Sequence, residues 1–127
     1  MNKIIKPTIT ASITVGMQIG YTKQLYNKSK LIKVLQKFQK NQINERNVYL
    51  SACVSKCEIV LSGQIEPHIK LDFVNYPKFP LSIKQFKYEV ELLTKYLLSE
   101  LNQNRILIVF HDETIMLELS EQIDPRI

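Results

Sequence analysis

An α+β sandwich, with two helices on one face of a mostly antiparallel sheet, is the fold class this chain predicts. Three observations predict it. Segments of period-2 hydrophobicity alternate with two of helical period, in the order strand, helix, long bent strand, strand, helix, strand, strand. Each helical segment carries a single apolar stripe, so it has one side to bury. Two strand-helix-strand crossovers, right-handed by default, set both helices on the same side of the sheet. The expected architecture is ferredoxin-like, with an added C-terminal β-hairpin.

The first strand spans 8–20. Ile9, Ala11, Ile13, Val15, Met17 and Ile19 face one way, and Thr8, Thr10, Ser12, Thr14 and Gln18 face the other. Gly16 and Gly20 interrupt the polar side, which marks either strand twisting or a bulge where a backbone or ligand comes close. A loop then runs to Asn27. Ser29 is the expected N-cap of a helix over 30–40, with Leu31, Val34, Leu35 and Phe38 as its buried stripe. Lys30, Lys33, Lys37 and Lys40 share another face, either merely solvated or set to meet an anion.

Residues 41–47 read as a polar loop, and 48–65 as one long strand. Its apolar parity flips at Ser55-Lys56, a pair without the residues a two-residue turn prefers, so a bulge is expected there. Residues 64–68, with Pro67, read as the turn into a strand over 69–76. The corner Tyr76-Pro77-Lys78-Phe79-Pro80 follows, where two prolines fix φ and remove donors. Ser82 and Gln85 form a capping box for a helix over 83–102, with Phe86, Val90, Leu93, Leu97 and Leu101 inward. The strand over 106–110 is apolar on both faces and is expected to be buried from both sides. His111-Asp112-Glu113 turns it into a strand over 114–119, and 120–127 reads as a loose tail. The whole of 1–127 is expected to be one domain with flexible ends at 1–7 and 120–127.

Composition narrows the function less than the fold. The chain carries a net charge of +5, which favours anionic partners, and of its 17 basic residues only Arg46, Arg105 and Arg126 are arginines. Cys53 and Cys57 are too few for a zinc site and are expected to be reduced thiols. Residues 1–6 lead straight into a strand, so no signal peptide is expected, and the apolar run at 106–110 is far too short to span a bilayer. The expectation is a cytoplasmic protein with no membrane and no long nucleic acid as partner. The outer sheet face is expected to carry Thr, Ser, Cys and Val rather than charges, which implies a homodimer or higher homo-oligomer.

With three glycines the chain holds no Gly-rich phosphate loop, and it shows no nucleophile elbow and no metal-spaced pair. Neither His68 nor His111 reads as more than a turn residue, so no enzyme, cofactor or metal is expected. What is left is a recognition surface. Tyr21, Tyr76 and Phe79 offer rings, although Phe79 reads better as an anchor of the corner. Asn75 offers an amide, and Lys78, Lys95 and Arg105 offer charge.

Three stretches carry a resemblance. Gly16-x-x-x-Gly20-Tyr21-Thr22, Asn75-Tyr76-Pro77-Lys78-Phe79-Pro80, and Asp112-Glu113-Thr114-Ile115-Met116-Leu117-Glu118 together resemble the phage Thoeris anti-defence proteins that act as nucleotide sponges. The resemblance spans about 8–118. It implies an oligomeric, non-enzymatic binder that sequesters cyclic ADP-ribose signals, and cyclic oligonucleotides as well, with Tyr21, Asn75, Tyr76, Lys78, Lys95 and Arg105 as ligand-binding residues. Phosphate-contacting arginines of such proteins have no clean counterparts here, so lysines would have to substitute. The alternative is an oligomeric ferredoxin-like regulator of the copper-tolerance or nitrogen-regulator type, binding a metal or metabolite.

Overall fold

The computed structural model describes residues 1–19 and 22–119. Strands β1 (Thr10–Gly16), β2 (Ala52–Leu61), β3 (Gln64–Val74), β4 (Arg105–Phe110) and β5 (Thr114–Glu118) form one antiparallel sheet in the order β2-β3-β1-β4-β5. Helices α1 (Lys28–Arg46) and α2 (Ile83–Glu100) supply the crossovers. Their stripes meet one sheet face: Leu31 and Leu35 of α1, and Phe86, Val90, Leu93 and Leu97 of α2, join Ile13, Val15, Ile69, Leu71, Phe73, Ile106 and Ile108 in a single core. The α+β class and the C-terminal hairpin are as expected. No helix among the described residues is long and apolar enough to cross a membrane.

The helix starts are set by side chains. Asn27, not Ser29, caps α1, its Oδ1 accepting from Lys30 N at 2.9 Å. Ser82 and Gln85 close the capping box of α2 as expected. Helix α1 runs six residues past the expected end at Lys40, through the segment that reads as a polar loop, and stops where Asn47 turns left-handed at φ 55°. The reason is tertiary. Gln42, fully buried, donates to Glu89 Oε2 at 3.1 Å, and Arg46 clamps Glu89 through Nε at 2.6 Å and Nη2 at 3.0 Å. These polar residues belong to the interface between the helices, so their polarity misled the periodicity.

The long bent strand is corrected too. The β2–β3 register is continuous from Ala52↔Phe73 to Leu61↔Gln64, with no bulge at Ser55-Lys56, and the turn is Ser62-Gly63. Ser62 takes the left-handed position at φ 51°. The parity flip has another cause: from Cys57 on, the hairpin runs out beyond the helices, where Ile59, Val60, Leu61 and Ile65 are exposed. Pro67 lies inside β3 rather than in a turn. Its carbonyl takes Met17 N–H at 3.0 Å on the β1 side, just past the last β1 pair, Gly16↔His68. A missing N–H costs no ladder bond there.

Two expectations about the open face also change. Leu107 and Val109 are exposed between buried Ile106, Ile108 and Phe110, so β4 is covered on one side only. Strand β3 brings His68, Lys70 and Asp72 to the open face, which is therefore charged in its middle and apolar toward Leu107, Val109 and Met116. Met1–Pro7 is exposed coil, and the expected tail at 120–127 lies outside the described residues.

Candidate functional site

Sheet register assembles a polar row that no stretch of sequence contains. Cys57 pairs with His68, His68 with Gly16, and Arg105 with Glu118. The β1–β4 ladder pairs Thr14 with Leu107, and the same register carries Arg105 alongside Gly16 two residues further on. Alternation puts these side chains on the open face, in one line across all five strands. Glu66 follows two residues from His68 on the same face of β3.

Gly16 is the centre of the row because it has no side chain. The hollow over it is a polar notch of about 30 Å³, walled by Gln18, Glu66, Pro67, His68 and Gln103. A Cβ on Gly16 would come within 2.8 Å of Gln103 Oε1 and 3.7 Å of His68 Nε2. Gln103 has little freedom to yield, because its Nε2 donates to the carbonyls of Gln18 at 2.7 Å and Leu101 at 3.1 Å. The floor is equally braced. Tyr26 donates its hydroxyl to the Gly16 carbonyl, and burial pushes that phenol well above its ordinary pKa, keeping it neutral. Beyond Gly16 the chain folds back on itself, with Tyr26 N–H to Met17 O at 3.0 Å and Ile19 N–H to Gln24 O at 2.8 Å. From the residues just beyond Gly16, Gln18 lines the notch.

Both charge signs are present. Arg105 Nη2 pairs with Glu118 Oε1 at 3.3 Å, and Arg105 Nε is buried with no hydrogen-bond partner among the described residues. His68 Nδ1 lies 3.2 Å from the Glu66 carbonyl. Carboxylates of Glu66 and Glu118 suit a cation, and the guanidinium of Arg105 suits a carboxylate. Such a set matches a ligand that carries both, as an amino acid does. Among the described residues no group of three His, Cys, Asp or Glu side chains could hold a metal.

The residues expected from sequence do not converge. Asn75, Tyr76 and Lys78 stand at one end of the sheet, beside the Thr10↔Val74 pair, and Arg105 stands near the other end. Six rows of strand separate them, about 20 Å at ~3.3 Å per residue. Lys95 is exposed on α2, and Tyr21 lies outside the described residues. The Asn75 amide is already engaged, bonded both ways to the backbone of Leu81. Sequence reasoning weighed His68 only as a turn residue and did not single out Glu66, Gln103 or Glu118, which the fold brings to the row of Gly16. The available signal was Gly16, a glycine in the middle of a polar strand face, and it pointed to a close approach.

No family model matches the chain, and no curated protein matches it. Two solved chains share its fold. A phage SAM lyase in complex with S-methyl-5'-thioadenosine superposes with TM-score 0.73 at 17% identity, over 97% of this chain and 98% of that one. A phage SAM lyase in the apo state superposes with TM-score 0.62 at 16% identity, over 91% of each chain. Both are enzymes, and neither is a signal sponge. The sponge reading, its cyclic ADP-ribose ligand and the expectation of no enzyme are corrected accordingly, and nothing supports the copper-tolerance or nitrogen-regulator alternative. What the two structures share with the resemblance is a phage protein: this chain has the fold of phage SAM lyases.

Proposed function

We propose that this chain is a lyase acting on S-adenosylmethionine or a close sulfonium relative, and that the notch around Gly16 takes the substrate's amino-acid end. The observation that carries the reading is the end-to-end likeness to a lyase holding S-methyl-5'-thioadenosine. That thioether is what S-adenosylmethionine becomes when its four-carbon amino-acid arm leaves. The methyl donor would be consumed, which starves every methylating enzyme of the cell and fits a phage protein that counters host defence.

The chemistry asks little of the protein beyond positioning. The substrate's own carboxylate oxygen attacks its γ-carbon, a C–O bond forms as the C–S bond breaks, and the bonding pair stays on sulfur as a neutral thioether. The arm departs as homoserine lactone with its ammonium intact. No proton moves and no water enters, so neither a general base nor a cofactor is required. Folding the arm into the attacking geometry supplies the rate. Arg105 orients the carboxylate, Glu66 and Glu118 face the cationic ammonium and sulfonium, and Gly16 makes room for Gln103, which walls the notch. An elimination route would instead need a base, Glu66 or His68, to take a β-proton, and would release vinylglycine.

The test is incubation with S-adenosylmethionine followed by mass spectrometry. S-methyl-5'-thioadenosine with homoserine lactone supports the reading in full, and S-methyl-5'-thioadenosine with vinylglycine moves the step to the base. Intact substrate after long incubation with stoichiometric protein sinks it. Glu66→Gln and Arg105→Ala should each lower turnover by at least about tenfold.

The protein is also proposed to work as a homo-oligomer. A two-stranded ribbon is marginal alone in water, yet the β2–β3 hairpin carries exposed Ile59, Val60, Leu61 and Ile65 out beyond the helices. The apolar stripe of Leu107, Val109 and Met116 on the open face is a second uncovered patch. Light scattering should return a multiple of 14.8 kDa; a monomer at micromolar concentration would remove this claim.

A further inference from the structure

At the end of the sheet away from Gly16, a second cleft is built from three aromatic rings. Phe79 stands between Tyr49 and Tyr76, with centroids 5.4 Å and 6.1 Å away and ring planes tilted by only 31° and 18°. Buried Val48 and Leu50 form the floor, Gln39 and Ser51 the polar rim, and the space is about 310 Å³. All three rings stay about half exposed, at 45%, 49% and 52% for Tyr49, Phe79 and Tyr76. They do not complete the core.

The corner that presents two of these rings is braced nonetheless. The Asn75 amide is bonded twice to Leu81, Phe79 N–H donates to Tyr76 O at 3.0 Å, and Pro77 and Pro80 fix the backbone between. A rigid row of exposed, nearly parallel rings is arranged to receive another flat ring with little entropy left to lose. Gln39 and Ile43 also line an adjoining trench of about 430 Å³ whose other walls are Lys33, Gln36, Lys37 and Lys40. No acidic residue lines either hollow among the described residues. The lysine stripe of α1 thus runs from the edge of the aromatic cleft.

We infer that this cleft and trench form a nucleotide-binding site separate from the Gly16 notch, with the base stacked among Tyr49, Phe79 and Tyr76 and the phosphate held by the α1 lysines. An aromatic platform beside a cationic groove is the combination that holds a base and its phosphate without reading the base's identity. A free nucleotide and the end of a single strand share this chemistry.

Calorimetry with adenosine, AMP and unlabelled hexadeoxyadenylate tests it. AMP should bind about tenfold tighter than adenosine, and added salt should erase the difference. Tyr49→Leu, which keeps the cleft filled, should cost AMP at least about tenfold, whereas Tyr49→Phe should bind like the parent. The double variant Lys37→Glu with Lys40→Glu should bring AMP down to the level of adenosine. A hexamer that binds more tightly than AMP with a steeper salt dependence identifies a strand as the occupant, and equal binding identifies a free nucleotide. AMP that fails to bind at millimolar concentration, or that binds both cleft variants as it binds the parent, overturns the inference. Cleavage of S-adenosylmethionine by Tyr49→Leu should match the parent, because the two sites stand at opposite ends of the sheet.

Discussion

Asn75 and Leu81 are joined by two hydrogen bonds, Asn75 Nδ2 to the Leu81 carbonyl at 2.8 Å and Leu81 N–H to Asn75 Oδ1 at 2.9 Å. One side chain imitates a strand partner and closes the corner of residues 75–81 onto itself. The Asn75 backbone N–H is spent as well, on the Ile9 carbonyl at 2.9 Å. The amide is a structural clamp. Asn75→Ala should therefore lower stability by about 1–3 kcal/mol in urea titration, the net worth of two part-buried bonds and the groups left unpaired. Unchanged stability would show that the prolines alone hold the corner.

Glu89 is the knot between the helices. The residue is 3% exposed, its carboxylate accepts from Gln42 and Arg46, and the bond that Arg46 donates to it is the main cause of the raised Arg46 pKa. Glu89→Ala removes the partner of a buried amide and of a guanidinium that is a third exposed. The expected loss is about 3 kcal/mol, the lower part of the range for breaking a buried pair. Denaturant unfolding measures it, and hydrogen exchange should show the last turns of α1, from Gln42 to Arg46, opening first.

Gly16 carries a sharper prediction, because stability and activity should separate. Gly16→Ala places a methyl 2.8 Å from Gln103 Oε1 and forces Gln103 off its two carbonyls. Overpacking of this kind costs about 1–3 kcal/mol. Turnover of S-adenosylmethionine should fall by at least about tenfold while the secondary structure by circular dichroism stays the same. A fully active Gly16→Ala protein would move the site away from the notch.

The β4–β5 turn is tied to α2 by charge. Lys87 Nζ bonds Asp112 at 2.8 Å and Glu113 at 3.1 Å, holding the Asp112 carboxyl below its ordinary value and the Lys87 ammonium above its own. A depressed carboxyl contributes stability in full above its ordinary value of 3.8, and that part is lost as pH falls through 3.8 toward the lower folded value. A raised lysine contributes in full below 10.5, and that part is lost as pH rises past it. The difference in melting temperature between the parent and Lys87→Met should be flat from about pH 5 to 9 and shrink at both extremes. A difference as large at pH 3 as at neutral pH would assign the effect to Lys87 packing over the Phe110 ring, 5.4 Å from its centroid.

What the chain determines locally was readable in order. The alternation of Ile9 to Val15, the stripe of Phe86, Val90, Leu93 and Leu97, and the Ser82–Gln85 box each fall within a few turns or pleats, and the structure repeats them. Crossover handedness then follows from chain chirality, and the α+β sandwich with it. The tertiary structure decided whatever depends on residues far apart. Helix α1 keeps its polar last turns because Glu89 arrives from 43 residues away to pair with Arg46. The hairpin places its apolar residues outside because the helices end before it does, which no pattern within 57–65 records. The polar row exists only in the register that sets Gly16 between His68 and Arg105, residues that lie more than fifty positions away along the chain. Hydrophobic period reports burial against the nearest layer; it carries no information about which distant polar side chains the pairing of strands will bring together.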